Sequence, residues 1–277
     1  MSRVVVLTDL HIRAEPEPGK PDADARLLSA IDHINRYQSD ADLVIVTGDL
    51  AHSGERAAYD KLASHLTRLA LPHVLMLGNH DNRAAFLDAF PQISPDENGH
   101  VQQVVDLPEA RLICLDTLNG PPYSYPFSHL GVLCAERLAW LDAALSGTDR
   151  PCILFMHHPA HKTGFAAMDA IMLMHGPAFY DRILAHGNVA HIVCGHVHRT
   201  ISGSHRGVPF SIFKSLVGQM PMLFDLMDFH METDEPPAYG LLMISDDGVV
   251  AHSEDFGLTD LDALRAASPQ NASSQPK

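Results

Sequence analysis

The sequence is poor in cysteine, in positive charge and in long apolar runs, and each shortage excludes a class of protein. Its four cysteines stand singly without a Cys-x-x-Cys pair, so we expect reduced core residues of a cytoplasmic protein, not a disulfide framework or a thiolate metal site. With 19 basic against 34 acidic side chains the formal charge is −15, which disfavours nucleic-acid polymers and anionic membranes as partners. No stretch reaches transmembrane length, and Asp9 and His11 interrupt the first apolar run too early for a signal peptide.

Histidine, by contrast, is abundant, with 19 residues in a chain of 277. That length suits one large domain with a sizeable core. A divalent cation held by such side chains is the largest charge in its site, so even an acidic protein can bind a small phosphorylated anion.

The first 200 residues alternate short apolar runs with helical patterns. The runs lack polar alternation, which predicts strands covered on both faces, and the segments between several of them carry apolar residues at helical spacing. Repeated strand–helix–strand units predict an α/β layered fold. The predicted strands are Val4–Leu7, Leu43–Thr47, Val74–Leu77, Leu112–Leu115, Ile153–Met156 and Ile192–Cys194, and the predicted helices are Ala25–Tyr37, Tyr59–Leu69 and Cys134–Leu145.

After Gly195 the pattern changes to shorter alternating pieces, which predict antiparallel strands that complete a second sheet. The segment Gln219–Pro237 interrupts them as an insertion or flap, at about residues 215–240. The polar stretch 266–277 is predicted to be a disordered tail, which leaves residues 1–265 as one domain. The four late strands are predicted around Thr200–His205, Pro209–Phe213, Leu241–Ile244 and Val249–His252.

Polar residues cluster just beyond the C-terminal ends of five predicted strands, the edge at which open α/β sheets bind ligands. In extended chain, residues two apart point the same way, so a pair such as Asp9 and His11 would direct both side chains at one place. Carboxylate, imidazole and amide ligands without thiolate suit Mn, Fe, Zn or Co, and Asp49 is the natural bridge between two ions. The clustered residues are Asp9, His11, Asp49, Asn79, His80, His157, His158, His196 and His198.

Each cluster alone has a simpler explanation. In LMLGNHDNRA, residues 75–84, Gly78 and Asn79 are common turn residues, although turn chemistry does not account for His80. Five coincident clusters argue against a purely structural role, because so many buried polar groups would need partners without water or ions.

Five short motifs in order resemble the signature of calcineurin-like binuclear metallophosphoesterases. The likeness runs from the first strand to about residue 200, and within the family it is greatest to class III cyclic-nucleotide phosphodiesterases and related bacterial glycerophosphodiesterases. It implies a four-layer αββα sandwich with a small C-terminal flap or cap, in a homo-oligomer. The motifs are DLH (Asp9–His11), GDL (Gly48–Leu50), GNHD (Gly78–Asp81), MHHP (Met156–Pro159) and GHVH (Gly195–His198).

The resemblance also implies roles for individual residues. His80 would be the catalytic histidine that is not a ligand, supported by a hydrogen bond to Asp81, while Asn79, His80 and His198 would contact substrate, with Arg13 either a further contact or structural. The resemblance assigns Asp9, His11 and His198 to one metal ion, Asn79, His157 and His196 to the other, and Asp49 to both.

The implied activity is hydrolysis of a small phosphodiester, first of all a 3′,5′-cyclic nucleotide, by a hydroxide that bridges the metals. Glycerophosphodiesters and phosphomonoesters are alternative substrates, and a non-catalytic scaffold of the same fold is an alternative of another class. The absence of a basic stretch interleaved with aromatics disfavours a nuclease. Several residues either line the pocket or fill the structure: Met168, Asp169, Met172, Met174 and Met220–Met222.

Overall fold

Two sheets form the centre of the computed structural model, which describes residues 1–267. Helix ends follow local signals: the first helix, for example, starts where the Asp22 carboxylate accepts a hydrogen bond from the Ala25 N–H at 3.0 Å. The elements are β1 (Ser2–Leu7), α1 (Ala23–Tyr37), β2 (Leu43–Val46), α2 (Arg56–Leu66), β3 (His73–Leu75), α3 (Arg83–Ala89), β4 (Gln103–Asp106), β5 (Arg111–Leu115), α4 (Ala135–Ser146), β6 (Cys152–Met156), α5 (Ala166–Ala170), α6 (Gly176–His186), β7 (Val189–Cys194), β8 (Ile201–His205), β9 (Val208–Ile212), β10 (Tyr239–Ser245), β11 (Gly248–Glu254) and α7 (Leu261–Ala267).

Both sheets are mixed, with parallel strands in the middle. The first has the order β11-β10-β1-β2-β3, and the second has the order β4-β5-β6-β7-β9-β8. Strands β1, β2 and β3 run parallel, as do β5, β6, β7 and β9. The C-terminal ends of the parallel strands of each sheet therefore lie at one edge of it.

Buried side chains divide into three clusters that define the layers. Val4 and Val6 of β1 pack in one cluster with Ile153 and Phe155 of β6, so the two sheets face each other. The alternate side chains of β1 pack against α1 and α2, and the outer face of the second sheet packs against α4 and α6. The fold is therefore the αββα sandwich that the family resemblance implied.

The late strands differ from the prediction that all four complete a second sheet. Strands β8 and β9 do join the second sheet, but β10 pairs with β1 in the first, with Val4 opposite Leu242. The reason is burial, because Leu242 and Ile244 of β10 pack into the cluster between the sheets. Alternation identifies a strand without specifying the sheet that it joins.

The predicted flap is irregular, and the predicted tail begins within the last helix. Residues 219–237 contain no helix or multi-residue strand, and an isolated bridge joins Gln219 to Thr233. Helix α7 includes the first two positions of the predicted tail, and residues 268–277 lie outside the described part of the chain.

All four cysteines are free, and Cys134 is only half-buried. Within residues 1–267 no helix is long and apolar enough to cross a bilayer.

Candidate metal centre

The loops after β1, β2, β3, β6 and β7 bring the seven predicted metal ligands together, in two groups. In the first group, Nε2 of His198 lies 3.0 Å from Nε2 of His11 and 3.3 Å from Oδ1 of Asp9. Nε2 of His11 lies 3.6 Å from Oδ2 of Asp49. The ligand atoms of these four residues all fall within 4.8 Å of one another, which is close enough for one ion to bind them.

The second group forms around Asn79. Its Oδ1 lies 2.8 Å from Nδ1 of His196 and 3.1 Å from Nε2 of His157. Nε2 of His157 in turn lies 3.4 Å from Oδ2 of Asp49, the same oxygen that faces His11. Asp49 thus stands between the groups, the position that a bridging carboxylate requires.

The backbone reaches this arrangement by an unexpected route. Asp9, His11, Asp49, His196 and His198 all have left-handed φ angles, between 46° and 72°, so the extended pairs expected from the sequence are wrong. Such angles cost of the order of 1–3 kcal/mol each and persist where neighbouring contacts impose them. Here four main-chain hydrogen bonds join the loops after β1 and β2. The amide of His196 also donates to both carboxylate oxygens of Asp9.

Gly78 is required by close approach and not by turn geometry alone. A Cβ at this position would lie 2.3 Å from Oδ1 and 2.5 Å from the amide nitrogen of Asp49. Only glycine lets the loop after β3 pass this close to the carboxylate of Asp49.

Two histidines show that the centre suits cations. Nδ1 of His157 donates to the carbonyl of Thr47, and Nδ1 of His198 donates to the carbonyl of Gly218, each at 2.9 Å. In the neutral rings the Nε2 atoms therefore carry lone pairs, which point at carboxylate oxygens. Lone pairs that face one another repel unless a cation or proton lies between them, so these donors fit metal ions, and the two carbonyls fix the ring orientation that ligation needs.

Charge in the site agrees with this fit. Burial opposes the charged forms, yet Asp49 and Asp9 raise the pKa of His157 to about 9, and Asp9 raises the pKa of His198. Against the effect of burial, the neighbouring histidines hold the pKa of both carboxyls below its usual value. Burial, with the histidines nearby, lowers the pKa of His11 and His196 far below the usual value, which favours the neutral rings that metal ligation requires.

Of the two predicted catalytic residues, only His80 lies at the pocket. Its Nδ1 donates to the carbonyl of His52 at 2.7 Å, and its amide donates to Asp49 at 2.9 Å. The predicted hydrogen bond from His80 to Asp81 is replaced by other contacts. That buried carboxylate accepts hydrogen bonds from the hydroxyl of Tyr59 and from the main-chain amides of Gly78, Leu50 and Ala51, at 2.9 to 3.1 Å.

Asp81 is therefore a structural residue of the loops. Burial and the charge of Asp49 raise the pKa of Asp81 to about 6, although its hydrogen bonds with main-chain amides oppose the shift. The turn after Gly78 directs the carboxylate inwards beneath the loop that carries Asp49, where it ties the loops after β2 and β3 together.

A pocket of about 500 Å³ opens above the two groups. Arg13 lies among its lining residues, with Nη1 2.8 Å from Oε2 of Glu17. Met168 and Met220 line it, whereas Met222 is exposed and Asp169 accepts hydrogen bonds from Thr163 and Gly164. Among the described residues, Met172 and Met174 stay outside the lining and hydrogen-bond the main chain of Gly131.

Among the lining residues that sequence reasoning missed are four that bear on the function of the site, and they belong to none of the motifs. They come from the loop after β2, from the loop that precedes α4 and from the flap. They are His52, Phe127, His129 and Phe229.

Comparison with known proteins agrees with this geometry. The model of the calcineurin-like phosphoesterase family matches residues 2–200. The chain belongs to that family. It is 42% identical over 260 residues to a probable cyclic nucleotide phosphodiesterase of Rhodopseudomonas palustris, with 92% of each chain covered. It is 33% identical over 202 residues to a probable glycerophosphodiester phosphodiesterase of Arcobacter nitrofigilis, with 71% of each covered.

The fold agrees with a solved structure as well. A dimetal phosphatase from Danio rerio superposes with a TM-score of 0.70 at 16% identity, over 91% of this chain and 95% of that one, which supports the fold alone. Family, fold and ligand groups together make this member of the calcineurin-like phosphoesterase family a metal-dependent phosphodiesterase with a site for two ions. The prediction of an enzyme rather than a scaffold is confirmed.

Proposed function

We propose that this phosphodiesterase hydrolyses 3′,5′-cyclic nucleotides at a centre in which Asp9, His11, Asp49, Asn79, His157, His196 and His198 hold two first-row metal ions. The observation that carries the proposal is the convergence of both ligand groups on one oxygen of Asp49 at the floor of the pocket. Manganese, iron, zinc and cobalt all accept this ligand set. The name of the Rhodopseudomonas palustris relative supports the substrate class.

The pocket has the size and lining for a nucleotide. A volume of about 500 Å³ lies within the usual range for small-molecule sites. Phe127, Met168, Ile171 and Phe229 are among the lining residues, which provide apolar surface for a base. Lys20, beside the pocket, is paired with Glu232 at 2.9 Å, so the charge on that side is largely balanced.

The chemistry divides between the ions and His80. When bound, two such ions supply a nucleophile at neutral pH and polarise the phosphate. The hydrogen bond from Nδ1 of His80 to the carbonyl of His52 orients the ring, and in the protonated ring Nε2 can donate to a phosphoryl oxygen or pass its proton to the leaving alkoxide. Asn79 and His198, which also line the pocket, contact the same phosphate, with Arg13 a further contact at the edge.

Glycerophosphodiesters are the second candidate substrates, supported by the name of the Arcobacter nitrofigilis relative. The two candidates differ in what lies beyond the phosphate. A nucleoside offers an aromatic base to the apolar side of the pocket, whereas a glycerol ester does not.

We further propose a cytoplasmic homo-oligomer. The four free cysteines support a reducing compartment. Exposed apolar side chains on the flap, among them Met222, Phe224 and Met227, support association, because a soluble monomer rarely exposes such a group. Light scattering coupled to size-exclusion chromatography tests the oligomer, and a monomer at micromolar concentration would contradict it.

The substrate proposal is tested with metal-stripped protein restored with Mn²⁺. The panel is 3′,5′-cyclic AMP, 2′,3′-cyclic AMP, glycerophosphocholine, bis(p-nitrophenyl) phosphate and p-nitrophenyl phosphate. We expect metal-dependent turnover, with 3′,5′-cyclic AMP the best natural diester and the monoester slower. Asp49→Asn is the matched inactive control, and preference for glycerophosphocholine would replace the first candidate by the second.

A further inference from the structure

The amide of Asn79 has two sides, and each faces a different partner. Its oxygen points at His157 and His196, as a metal ligand must, while its nitrogen lies 2.8 Å from Nδ1 of His129. An amide nitrogen only donates hydrogen bonds. Nδ1 of His129 is therefore the acceptor, and the neutral ring carries its proton on Nε2.

His129 is itself held from below by a buried histidine. The carbonyl of His129 accepts from Nε2 of His158 at 3.2 Å, and a carbonyl can only accept. Nδ1 of His158 is then free to accept from the hydroxyl of Thr117, which lies 2.8 Å away. Both ring nitrogens of His158 are thus engaged, so this residue supports the loop although it lies within ligand distance of His157 and His196.

The loop before α4 fits closely over this support. A Cβ on Gly131 would come within 2.5 Å of Cγ of His158, so main chain and ring are in direct contact. Asn119 also fixes the loop, because its amide nitrogen donates to the carbonyl of Phe127 at 2.9 Å. The position of His129 is consequently determined by buried groups, although the side chain itself is exposed.

We infer that His129 is a positioning residue, whose Nδ1 holds the Asn79 amide with its oxygen toward the metal ions. Without that acceptor the amide can rotate and turn its nitrogen toward the lone pair on Nε2 of His157, which removes an oxygen ligand from one ion. The inference rests on the proposed metal centre, and its test measures metal binding separately from turnover. Outer partners of this kind typically contribute about 10- to 100-fold to metal affinity or activity.

Two substitutions separate the nitrogens of the ring. In His129→Asn the amide oxygen can take the position of Nδ1 and accept a hydrogen bond from Asn79. In His129→Gln the longer side chain places its amide at the position of Nε2, so nothing replaces Nδ1 as the acceptor. His129→Ala removes both groups. His252→Ala is the control, because His252 is exposed on β11, the edge strand of the first sheet.

The measurement is Mn²⁺ binding to the full-length, metal-stripped protein by calorimetry and electron paramagnetic resonance, with thermal unfolding to confirm folding. We expect His129→Ala and His129→Gln to bind one of the two ions about tenfold or more weakly, and His129→Asn and His252→Ala to resemble the wild type. The turnover rate of His129→Ala should be closer to that of the wild type at saturating Mn²⁺ than at limiting Mn²⁺.

Two results would overturn the inference: wild-type affinity for both ions in His129→Ala, or an affinity in His129→Asn as weak as in His129→Ala. A wild type that binds two ions and hydrolyses none of the panel would instead refute the proposed function. The comparison of Mn²⁺ affinities would still decide the role of His129.

Discussion

The floor of the pocket and its rim are built in opposite ways. On the floor, Asp9, Asp49 and His157 are almost completely buried and follow directly from strands of the two sheets. On the rim, Phe127 is 68% exposed and Phe229 is 43% exposed, in segments without regular strands. The floor is therefore held rigidly by the fold, whereas the rim is held only at separate points such as Asn119.

This difference assigns different parts of the reaction to each region. Reacting groups must stay within a fraction of an ångström of their productive positions. Buried strand ends and main-chain hydrogen bonds hold them there. Selection of the leaving group needs apolar surface above the phosphate, which the rim provides. Substitutions on the floor should thus change kcat or metal binding, and substitutions on the rim should change KM.

The largest effect is expected for Asn79→Ala on the floor. The variant removes a direct oxygen ligand, so it should bind one ion much more weakly and lose more than about a hundredfold in turnover at limiting metal, beyond the upper range for outer partners. Metal titration followed by steady-state kinetics measures both. Asn98→Ala, at an exposed loop residue, is the control, and two tightly bound ions in Asn79→Ala would show that Asn79 is not a ligand.

His80→Ala should separate catalysis from ligation on the same floor. Because His80 touches the pocket without belonging to either assigned ligand set, both ions should remain, and kcat should fall by about a hundredfold with the loss of one charge-stabilising donor. Metal content by emission spectroscopy and kcat at saturating Mn²⁺ are the measurements. Full activity would exclude the proposed role of His80, and a lost ion would make it a ligand.

The contrast between floor and rim also explains what could be predicted from the sequence. Strand ends and the motifs after them are local patterns, so an α/β layered fold and the clustering of the polar side chains were accessible from the order of residues, whereas the αββα sandwich came from the family resemblance. The support of Asn79 by His129 joins residues 50 positions apart, and no local pattern marks it. The left-handed backbone of Asp9 was equally hidden, since tertiary contacts impose it.

Asp81 shows the limit of inference from adjacency. It follows His80 in the sequence, which suggested direct support, but its partners Leu50 and Ala51 lie about 30 positions earlier. A carboxylate in a turn can face either direction, and only the packing of the loop after β2 decides which.

Asp81→Asn should accordingly affect stability more than chemistry. One amide oxygen can no longer accept from all four buried donors, and leaving such donors unpaired should lower the free energy of unfolding by about 2 kcal/mol. Urea unfolding of the metal-free protein measures this, with the exposed Asp247→Asn as control. A loss of kcat as large as in His80→Ala, without loss of stability, would restore the catalytic role.

The smallest effect is expected on the rim. Phe127→Ala and Phe229→Ala each remove an aromatic contact with the base, which contributes about 0.5–1.5 kcal/mol. The KM for 3′,5′-cyclic AMP should therefore rise by about two- to tenfold, with kcat nearly unchanged. KM for glycerophosphocholine, which has no base, should change less, and Leu258→Ala, 65% exposed and outside the pocket lining, is the control. An equal rise for both substrates would mean that the rim restricts access without recognising the base. A fall in kcat alone would break the division between floor and rim, because the rim would then position the reacting phosphate.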